Sequence, residues 1–543
     1  MCNYFHFCKF HILGYARKNP TIGIPLRLLA KTATKNIYKN YKKKLFGNRD
    51  RILPDDRYSR NHKTFTQVWI VTKTGENDYS NIGLRLFLNH LRIPYREIDI
   101  KEVKDNIYER LSKSVLIIFC DIRLIDIPPF FLKKTSSCLI ISLNNEKPDG
   151  RNYERINLKN NNLRKAYLIK QNFIYVEASF ESLMPYADGL RSPLAAALVL
   201  IMLRYIPEPL ITGMLPTQVG IRIDDVDGEN ITNYLEPVIA FGWKPNMGVF
   251  VDNLIKAEGR CHKYLAGLAL ENLAEFSPHA FKTNEFIYFD YSKGIPYTEK
   301  EFELRWKKSK YLFTEMGFEV SPVINSHFHV LSKSCYNNLM EDGLKYFFSE
   351  VAPDSLNIEP GKNCLPSGDP TCSTGQLRSN SILQLYSGDL ALDCDQSSSL
   401  YDFLMHCDLW DKIDYSQPVS RILQRLSLSL KCGFPAFITT HEYLLCGLNK
   451  EVNEKIWDSV DSGLKEMGLG KIKKVSLSEI GSACADHTDT VIDFVENIET
   501  NKWNVRLSGK SRGNGYLNVF SNEQLNPIKI PPFQKSLTFE IEI

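Results

Sequence analysis

The sequence predicts an α/β protein with more than one domain, and three observations carry this prediction. Strand-like apolar runs alternate with helix-like segments between residues 64 and 180, as in a small parallel sheet. A later apolar run ends in two acids, Asp224 and Asp225, which is typical of a buried strand that delivers its carboxylates to the rim of a sheet or barrel. Residues 501–543 alternate in polarity around several glycines, which predicts a small antiparallel β unit.

Length and composition indicate a soluble globular class. A chain of 543 residues is long enough for two or three domains, and 43% hydrophobic with 24% charged residues is ordinary for such proteins. The net charge of +4 is too small to indicate a nucleic-acid partner. The charge is uneven, because residues 1–51 carry twelve lysines and arginines against the single acid Asp50. We expect a basic arm over residues 1–60 that is either solvated or in weak contact with anionic lipid headgroups.

Residues 61–184 are predicted to form a parallel α/β domain of flavodoxin-like or amidotransferase-like type. The predicted elements are one helix, Asn81–Leu91, and four strands, Thr66–Val71, Tyr95–Ile100, Val115–Phe119 and Cys138–Ser142. No glycine-rich phosphate loop follows the first strand, so we assign this domain no nucleotide and expect a role in substrate recognition or docking.

Residues 185–215 are predicted to be a helical connector. The longest apolar run, Leu194–Leu203, follows Ser192 and Pro193, which make a good helix start. The run is too short to span a bilayer, so it predicts a buried helix and no transmembrane segment. There is no charged leader with a long apolar stretch, and the 13 cysteines form no CxxC pair. We therefore expect reduced thiols and a cytoplasmic location.

The paired acids and several histidines indicate a metal site. Two adjacent carboxylates at Asp224 and Asp225 repel each other unless a cation or a shared proton lies nearby. Further strand-like runs end in histidines at His279, at His327 and His329, and at His441. One carboxylate and two neutral imidazoles suit a divalent metal with open positions for water and substrate. Each residue also has a structural alternative: a turn for the acids, packing for the imidazoles and a helix cap for His441.

The order of these motifs resembles the polysaccharide deacetylase family, in a variant branch associated with surface-polysaccharide biosynthesis. The matching segments span roughly residues 215–480: Asp224-Asp225, Met247–Val251, Phe276–His279, Ser326–His329, Gly343–Phe348 and Thr440–Glu442. The family usually carries a second histidine four residues after the first, where this chain has Thr283. The replacement ligand is then expected at His327 or His329, and family position favours His327.

The resemblance implies a distorted (β/α) barrel over residues 216–480 that holds a divalent ion, zinc by default. It assigns Asp225, His279 and His327 to the metal, Asp224 to the general base and His441 to the general acid. Arg222, two residues before Asp224, could pair with that carboxylate or be structural. Glu442 could orient His441, although we favour exposure to solvent. Asp290, at the end of an aromatic run, is a further candidate for substrate or metal.

The implied function is removal of an acyl group, N-acetyl foremost, from an amino sugar of a bacterial surface polysaccharide or its precursor. An alternative is an inactive barrel that binds glycan or organises a biosynthetic complex, and a second is hydrolysis of another amide or a phosphoester. Residues 363–395 are predicted to be a long loop near the substrate, with Gln376, Arg378 and Asp393 as sugar contacts. Residues 481–543 are predicted to be a β-rich appendage, either a glycan-binding module or a cap on the barrel edge.

Overall fold

A computed structural model gives the fold of this protein. The described residues are 68–73, 84, 87–88, 91–103, 115–133, 138–144, 154–156, 166–170, 173–177, 193–206, 209–213, 215–257, 259–290, 292–293, 295–327, 331–350, 364–365, 376–379, 382–387, 416–431, 433, 436–467, 469, 471–499, 502–521 and 524–542. They belong to one compact unit, Asp55–Ile543. The predicted basic arm and the predicted boundaries at 60/61 and 184/185 lie outside the described residues.

A seven-stranded sheet forms the first part of this unit. Its strands are β1 (Val68–Thr72), β2 (Tyr95–Asp99), β3 (Leu116–Cys120), β4 (Leu139–Asn144), β5 (Glu154–Ile156), β6 (Ala166–Lys170) and β7 (Phe173–Glu177). The order is β2-β1-β3-β4-β7-β6-β5, and the first five strands are parallel. The four predicted strands are all present. The apolar runs of β1, β3 and β4 are buried throughout, as expected for a parallel sheet covered on both faces, whereas the edge strand β2 is partly buried.

A second, wholly parallel sheet carries the two adjacent aspartates. Its strands are β9 (Gln218–Val226), β10 (Pro245–Phe250), β11 (Glu275–Ala280), β18 (Phe437–His441) and β19 (Lys473–Lys474). The order is β11-β10-β9-β18, and β19 pairs with the start of β9. Val219, Ile221 and Ile223 of β9 are fully buried, so this strand forms the centre of the core.

A third set of strands follows β11 along the chain. It contains β12 (Val323–Ile324), β13 (Leu331–Ser332), β14 (Tyr346–Glu350), β15 (Cys364–Leu365), β16 (Gln376–Ser379) and β17 (Ile382–Ser387). The sheet order is β12-β14-β17-β16, and β13 pairs with β15. The prediction of one long loop over residues 363–395 is therefore wrong for β15 to β17. The apolar stretch that begins at Ile382 pairs with β14, and the surrounding polar composition hid this signal.

The second and third sheets do not close into a barrel within the described part of the chain. The predicted α/β organisation is present, whereas the predicted distorted barrel appears among the described strands as separate sheets. Side chains bridge the sheets instead: the Ser277 hydroxyl of β11 donates to the Val323 carbonyl of β12 at 2.8 Å. The Arg222 guanidinium of β9 donates to the Phe348 carbonyl of β14. Polar backbone groups at these edges are thus satisfied without a continuous backbone ladder.

Helices pack against the sheets. They are α1 (Pro129–Lys133), α2 (Pro193–Tyr205), α3 (Ile231–Ala240), α4 (Val251–Leu254), α5 (Gly259–Leu270), α6 (Glu299–Glu315), α7 (Tyr336–Glu341), α8 (Ser416–Lys431), α9 (Glu442–Leu445), α10 (Lys450–Glu466) and α11 (Leu477–Asp489). Capping boxes at Thr298 and Ser476 start α6 and α11. Helix α2 is the predicted buried helix, and none of the described helices is long and apolar enough to cross a membrane.

Two antiparallel sheets form the C-terminal part. They contain β8 (Leu210–Thr212), β20 (Thr490–Glu499), β21 (Lys502–Ser511), β22 (Tyr516–Ser521), β23 (Gln524–Lys529) and β24 (Phe533–Glu542). The orders are β20-β21-β24 and β23-β22-β8, and Trp503, Val505 and Val519 lie in their common core. The strands expected from the alternation in residues 501–543 are present. Strand β8 comes from the predicted helical connector.

A buried carboxylate ties this β part to α11. Asp486 is fully buried and accepts hydrogen bonds from the Arg512 and Asn514 amides, both at 2.8 Å, and from the Ser511 hydroxyl at 3.1 Å. The turn between β21 and β22 is thereby fixed to the helix. The predicted domain boundary at 480/481 falls inside this same helix, so α11 is shared by both neighbours.

Replacing Asp486 with alanine should destabilise the fold. The substitution leaves the turn's donors without their buried acceptor, and we expect a loss of about 3 kcal/mol in the free energy of unfolding. Urea unfolding followed by circular dichroism measures it. The matched control is Asp458→Ala, an exposed acid on α10, which should change stability by less than about 0.5 kcal/mol. Equal stability of the two variants would contradict the anchoring role of Asp486.

Candidate metal centre

The predicted site residues come from the C-terminal ends of neighbouring strands. Asp224 and Asp225 lie near the end of β9, and His441 ends β18 directly opposite Asp224. His279 lies on β11, and His327 follows the end of β12 by three residues. Parallel strands run in one direction, so their C-terminal ends share one edge of the sheet. The folded chain therefore brings these residues to the same edge.

A β-bulge explains how two adjacent aspartates serve the same edge. Neighbours on a regular strand point to opposite faces. In β9, however, Asp224 and Asp225 together occupy the place opposite the single residue Gly248 of β10. Asp225 takes a left-handed conformation there, with φ of 56°. A Cβ atom on Gly248 would lie 2.9 Å from Asp224 Oδ1, so glycine provides the room for this carboxylate.

Asp225, His279 and His327 converge on one point. The distance from Asp225 Oδ1 is 3.2 Å to His279 Nε2 and 3.3 Å to His327 Nδ1. The two imidazole nitrogens are 2.8 Å apart. Ligands that share a tetrahedral zinc ion lie about 3.4 Å from one another, given zinc–ligand distances near 2.0–2.1 Å. The triangle is close to this size, and these three residues form a group that could hold a metal ion.

The polar atoms of this triangle suit a positive charge. Asp225 Oδ1 is buried and makes no hydrogen bond of good geometry. Lone pairs that converge at such distances repel one another unless a cation or a ring hydrogen lies between them. A divalent ion satisfies the carboxylate oxygen and both imidazoles at once, so the residues present fit the metal that the sequence predicted.

The surroundings shift the pKa values of the candidate ligands Asp225 and His327. Burial alone would raise the pKa of Asp225, but the His279 and His327 imidazoles hold it well below its usual range. Burial lowers the pKa of His327, which favours the neutral ring that binds metals. The ring centroid of Phe250 lies 5.6 Å from that of His279 and 5.3 Å from that of His327. Phe286 stacks on His327 with ring centroids 5.8 Å apart. These aromatic rings are part of the apolar environment around the site.

Asp224 is held by a different set of partners. Arg222 Nε donates to both of its carboxylate oxygens, at 2.7 and 2.9 Å, as the sequence suggested. Arg222 is fully buried and also donates to the Ser326 carbonyl. Burial alone would raise the pKa of Asp224, but the Arg222 charge and the His279 ring hold it well below its usual range. Asp224 is therefore ionised at neutral pH.

Asn325, which sequence reasoning missed, connects Asp224 to His279. Its Nδ2 donates to Asp224 Oδ1 at 2.9 Å, so its Oδ1 is the atom that faces His279 Nδ1, also at 2.9 Å. An amide oxygen only accepts, and His279 Nδ1 must therefore carry the hydrogen. The Nε2 lone pair is then left pointing at Asp225. An Asn two residues before His327 in an apolar run was the available signal, and motif matching gave it no role.

The environment of the Glu442 side chain differs from the one that we predicted. We expected this side chain to face solvent, but it is buried at 2% exposure. It accepts hydrogen bonds from the Asp227 and Gly228 amides and, at 2.6 Å, from the Tyr234 hydroxyl. Burial raises the pKa of Glu442 to about 7. The physical reason for the difference is the short helix α9, which begins at Glu442 and turns it back towards the loop after β9.

The remaining candidates lie elsewhere. Asp290 pairs with Lys293 at 2.9 Å and with Ser292, and it is not in the group of potential ligands found among the described residues. Thr283 is exposed in the turn that follows β11. His329 and Asp393 lie outside the described residues. Gln376 and Arg378 lie on β16, where their role in binding sugar stays a prediction.

Comparisons with known proteins give only remote similarity. No protein-family model and no curated protein matches the sequence. Among solved structures, a protein described as Agd3, a novel carbohydrate deacetylase, is 8% identical with a TM-score of 0.47, covering 88% of this chain and 99% of its own. A putative polysaccharide deacetylase from Mycobacterium smegmatis is 11% identical with a TM-score of 0.32, covering 52% of this chain and 94% of its own. These scores are too low to carry an argument about this chain.

The raised pKa of Glu442 predicts a pH-dependent difference in stability. The ordinary value is 4.5, and the folded value is about 7, so the folded state binds this proton more tightly than the unfolded state. The stabilisation that this proton gives to the folded state is complete below pH 4.5 and is lost as the pH rises through 7. The free energy of unfolding should fall by up to about 3 kcal/mol over this range. Glu442→Gln removes this titration, so the stability of the variant relative to wild type should rise between pH 5 and pH 8.

Urea unfolding at both pH values measures this difference. The control is Glu451→Gln, an exposed acid on α10, whose stability relative to wild type should stay constant across the same range. A pH-independent difference for Glu442→Gln would show that Glu442 has an ordinary pKa in the folded protein.

Proposed function

We propose that this protein is a metal-dependent hydrolase that removes an acyl group, N-acetyl foremost, from an amino sugar of a bacterial surface polysaccharide or its precursor. The observation that carries the proposal is the convergence of Asp225, His279 and His327 beside the buried, ionised Asp224. The reaction class is supported by the ordered motifs that resemble polysaccharide deacetylases. The carbohydrate partner and the cytoplasmic location stay predictions from the sequence.

Three side chains would hold the ion. Asp225 offers Oδ1, His279 offers Nε2 and His327 offers Nδ1, and zinc suits one carboxylate with two imidazoles. When bound, the ion supplies a Lewis acid for the acyl carbonyl and lowers the pKa of a bound water. Asn325 keeps the His279 hydrogen on Nδ1, away from the ligand position.

Proton transfer would be carried out by the chain's own residues. Asp224 takes a proton from the attacking water, and Arg222 keeps this carboxylate ionised and oriented. His441, opposite Asp224 on the neighbouring strand, gives a proton to the nitrogen of the leaving amine. Water adds to the acyl carbon and the carbon–nitrogen bond breaks, so the products are a carboxylate and the free amino sugar.

Metal binding should depend on the three ligand residues. Purified wild-type protein reconstituted with zinc should hold about one ion per chain, and Asp225→Ala, His279→Ala and His327→Ala should each lower its affinity by at least about 100-fold. Elemental analysis after dialysis and competition with a chromophoric chelator measure the affinity.

Two control variants make this result specific. Asp290→Ala removes a carboxylate that has its own partner in Lys293, and it should bind metal like wild type. His329→Ala should do the same if His327 is the ligand. Wild-type protein that binds no divalent metal after reconstitution would overturn the proposed hydrolase and leave a glycan-binding protein as the better account.

Substitution of Asp224 or His441 should reduce catalysis without reducing metal binding. Asp224→Asn and His441→Ala each remove a proton-transfer group while the three ligands remain, so kcat should fall by about 10²–10⁴-fold with zinc retained. Release of acetate from N-acetylglucosamine oligosaccharides measures the rate. Thermal melting identifies variants that fail to fold, which matters for Asp224→Asn because Arg222 is buried. Unchanged kcat in either folded variant would remove that residue from the mechanism.

A further inference from the structure

The end of β9 and the loop that follows it, residues 225–230, have an unusual backbone. Asp225, Gly228 and Asn230 all have left-handed φ values, of 56°, 87° and 44°. Such conformations cost about 1 kcal/mol or more for residues other than glycine, and they persist where surrounding contacts fix them. Asp225 is also the carboxylate of the candidate metal centre. What holds this loop therefore decides where the ligand oxygen lies.

Glu442 makes the largest set of polar contacts with this loop. Its Oε2 accepts from the Asp227 and Gly228 amides, the second at 3.0 Å, and its Oε1 accepts from the Tyr234 hydroxyl at 2.6 Å. Tyr234 lies on α3 and is fully buried, so it fixes the carboxylate from behind. Two consecutive amides on one buried carboxylate oxygen define the orientation of the peptide between them.

Other contacts with the loop are weaker or exposed. Asn253 Nδ2 donates to Asp227 Oδ1 at 2.9 Å in an exposed position, and Asn230 Nδ2 reaches the Cys446 carbonyl at 3.4 Å. Gly228 packs so closely that a Cβ atom would lie 2.8 Å from Leu254. This packing excludes a side chain, but it does not orient the amides. The buried carboxylate is the contact that does so.

Glu442 also follows His441 directly in the chain. The strand that carries the proposed general acid is thus followed directly by the residue that holds the loop next to the proposed metal ligand. A shift of the loop relative to β18 would change the separation of these two groups, and the Glu442 bonds oppose that shift.

We propose that Glu442 is a positioning residue that fixes Asp225 for metal binding by holding the Asp227 and Gly228 amides. It acts through the loop backbone and touches neither the metal nor the substrate. The inference rests on the proposed function, because it assigns the ligand role to Asp225. It adds a determinant of metal affinity that directly follows β18, the strand next to the one that carries Asp225.

The test compares Glu442→Ala with Glu442→Gln in the full-length protein. Alanine removes every acceptor, whereas the glutamine oxygen can still accept from both amides while its NH2 group donates to Tyr234. We expect Glu442→Ala to weaken zinc affinity by about 10–100-fold, and Glu442→Gln to stay within about 3-fold of wild type. Chelator competition measures the affinity, and hydrogen–deuterium exchange of the peptide spanning 225–230 should be faster in the alanine variant alone.

Leu445→Ala is the matched control. Leu445 is a fully buried neighbour on the same short helix, so its truncation perturbs packing without removing a bond to the loop. It should lower stability and leave zinc affinity unchanged. Zinc affinity in Glu442→Ala equal to that of wild type would overturn this inference while the hydrolase proposal stands, and an equal loss in Leu445→Ala would overturn it too. Absence of zinc binding in wild type would overturn both.

Discussion

The buried Arg222 charge is the constraint on which the rest of the site depends. A guanidinium without solvent must find several partners, because an unpaired buried charge is strongly destabilising. Arg222 finds them in Asp224 on its own strand, in the Ser326 carbonyl after β12 and in the Phe348 carbonyl of β14. The ion pair of Arg222 with Asp224 therefore fixes the proposed base. The Arg222 bonds also join the second and third sets of strands, between which the described residues form no backbone ladder.

Residue pattern predicted the elements and the chemical groups of the site. Runs of branched apolar residues identify parallel strands because both faces are buried, and three predicted strands of the first sheet, β1, β3 and β4, follow this rule. The edge strand β2 is only partly buried. Acids and histidines at strand ends identify the edge, since parallel strands bring their C-terminal ends together. The pairing of Arg222 with Asp224 could also be predicted from the sequence, because residues two apart on a strand share a face.

Contacts between segments that are distant in the chain could not be predicted from the residue pattern. The bulge opposite Gly248 depends on register, and no local signal marks it. Asn325 and Glu442 are ordinary polar residues in sequence, and their roles arise only when segments about a hundred or more residues apart meet. The distorted barrel was inferred from resemblance, and the described strands form separate sheets. Propensity and hydrophobic pattern describe single segments. The bulge, the roles of Asn325 and Glu442 and the arrangement of the sheets depend on hydrogen bonds between segments.

The histidine that the resemblance would place at position 283 has a geometric counterpart in His327. Thr283 is exposed in the turn beyond β11, whereas His327, from the end of the neighbouring β12, has its Nδ1 2.8 Å from His279 Nε2. A metal ion requires a donor atom at a given point and is indifferent to the segment that supplies it. Asn325, two residues earlier, binds both Asp224 and His279, so the same segment that orients one proposed ligand also supplies another. With His327 as the proposed third ligand, this segment would complete the triangle and couple it to the proposed base.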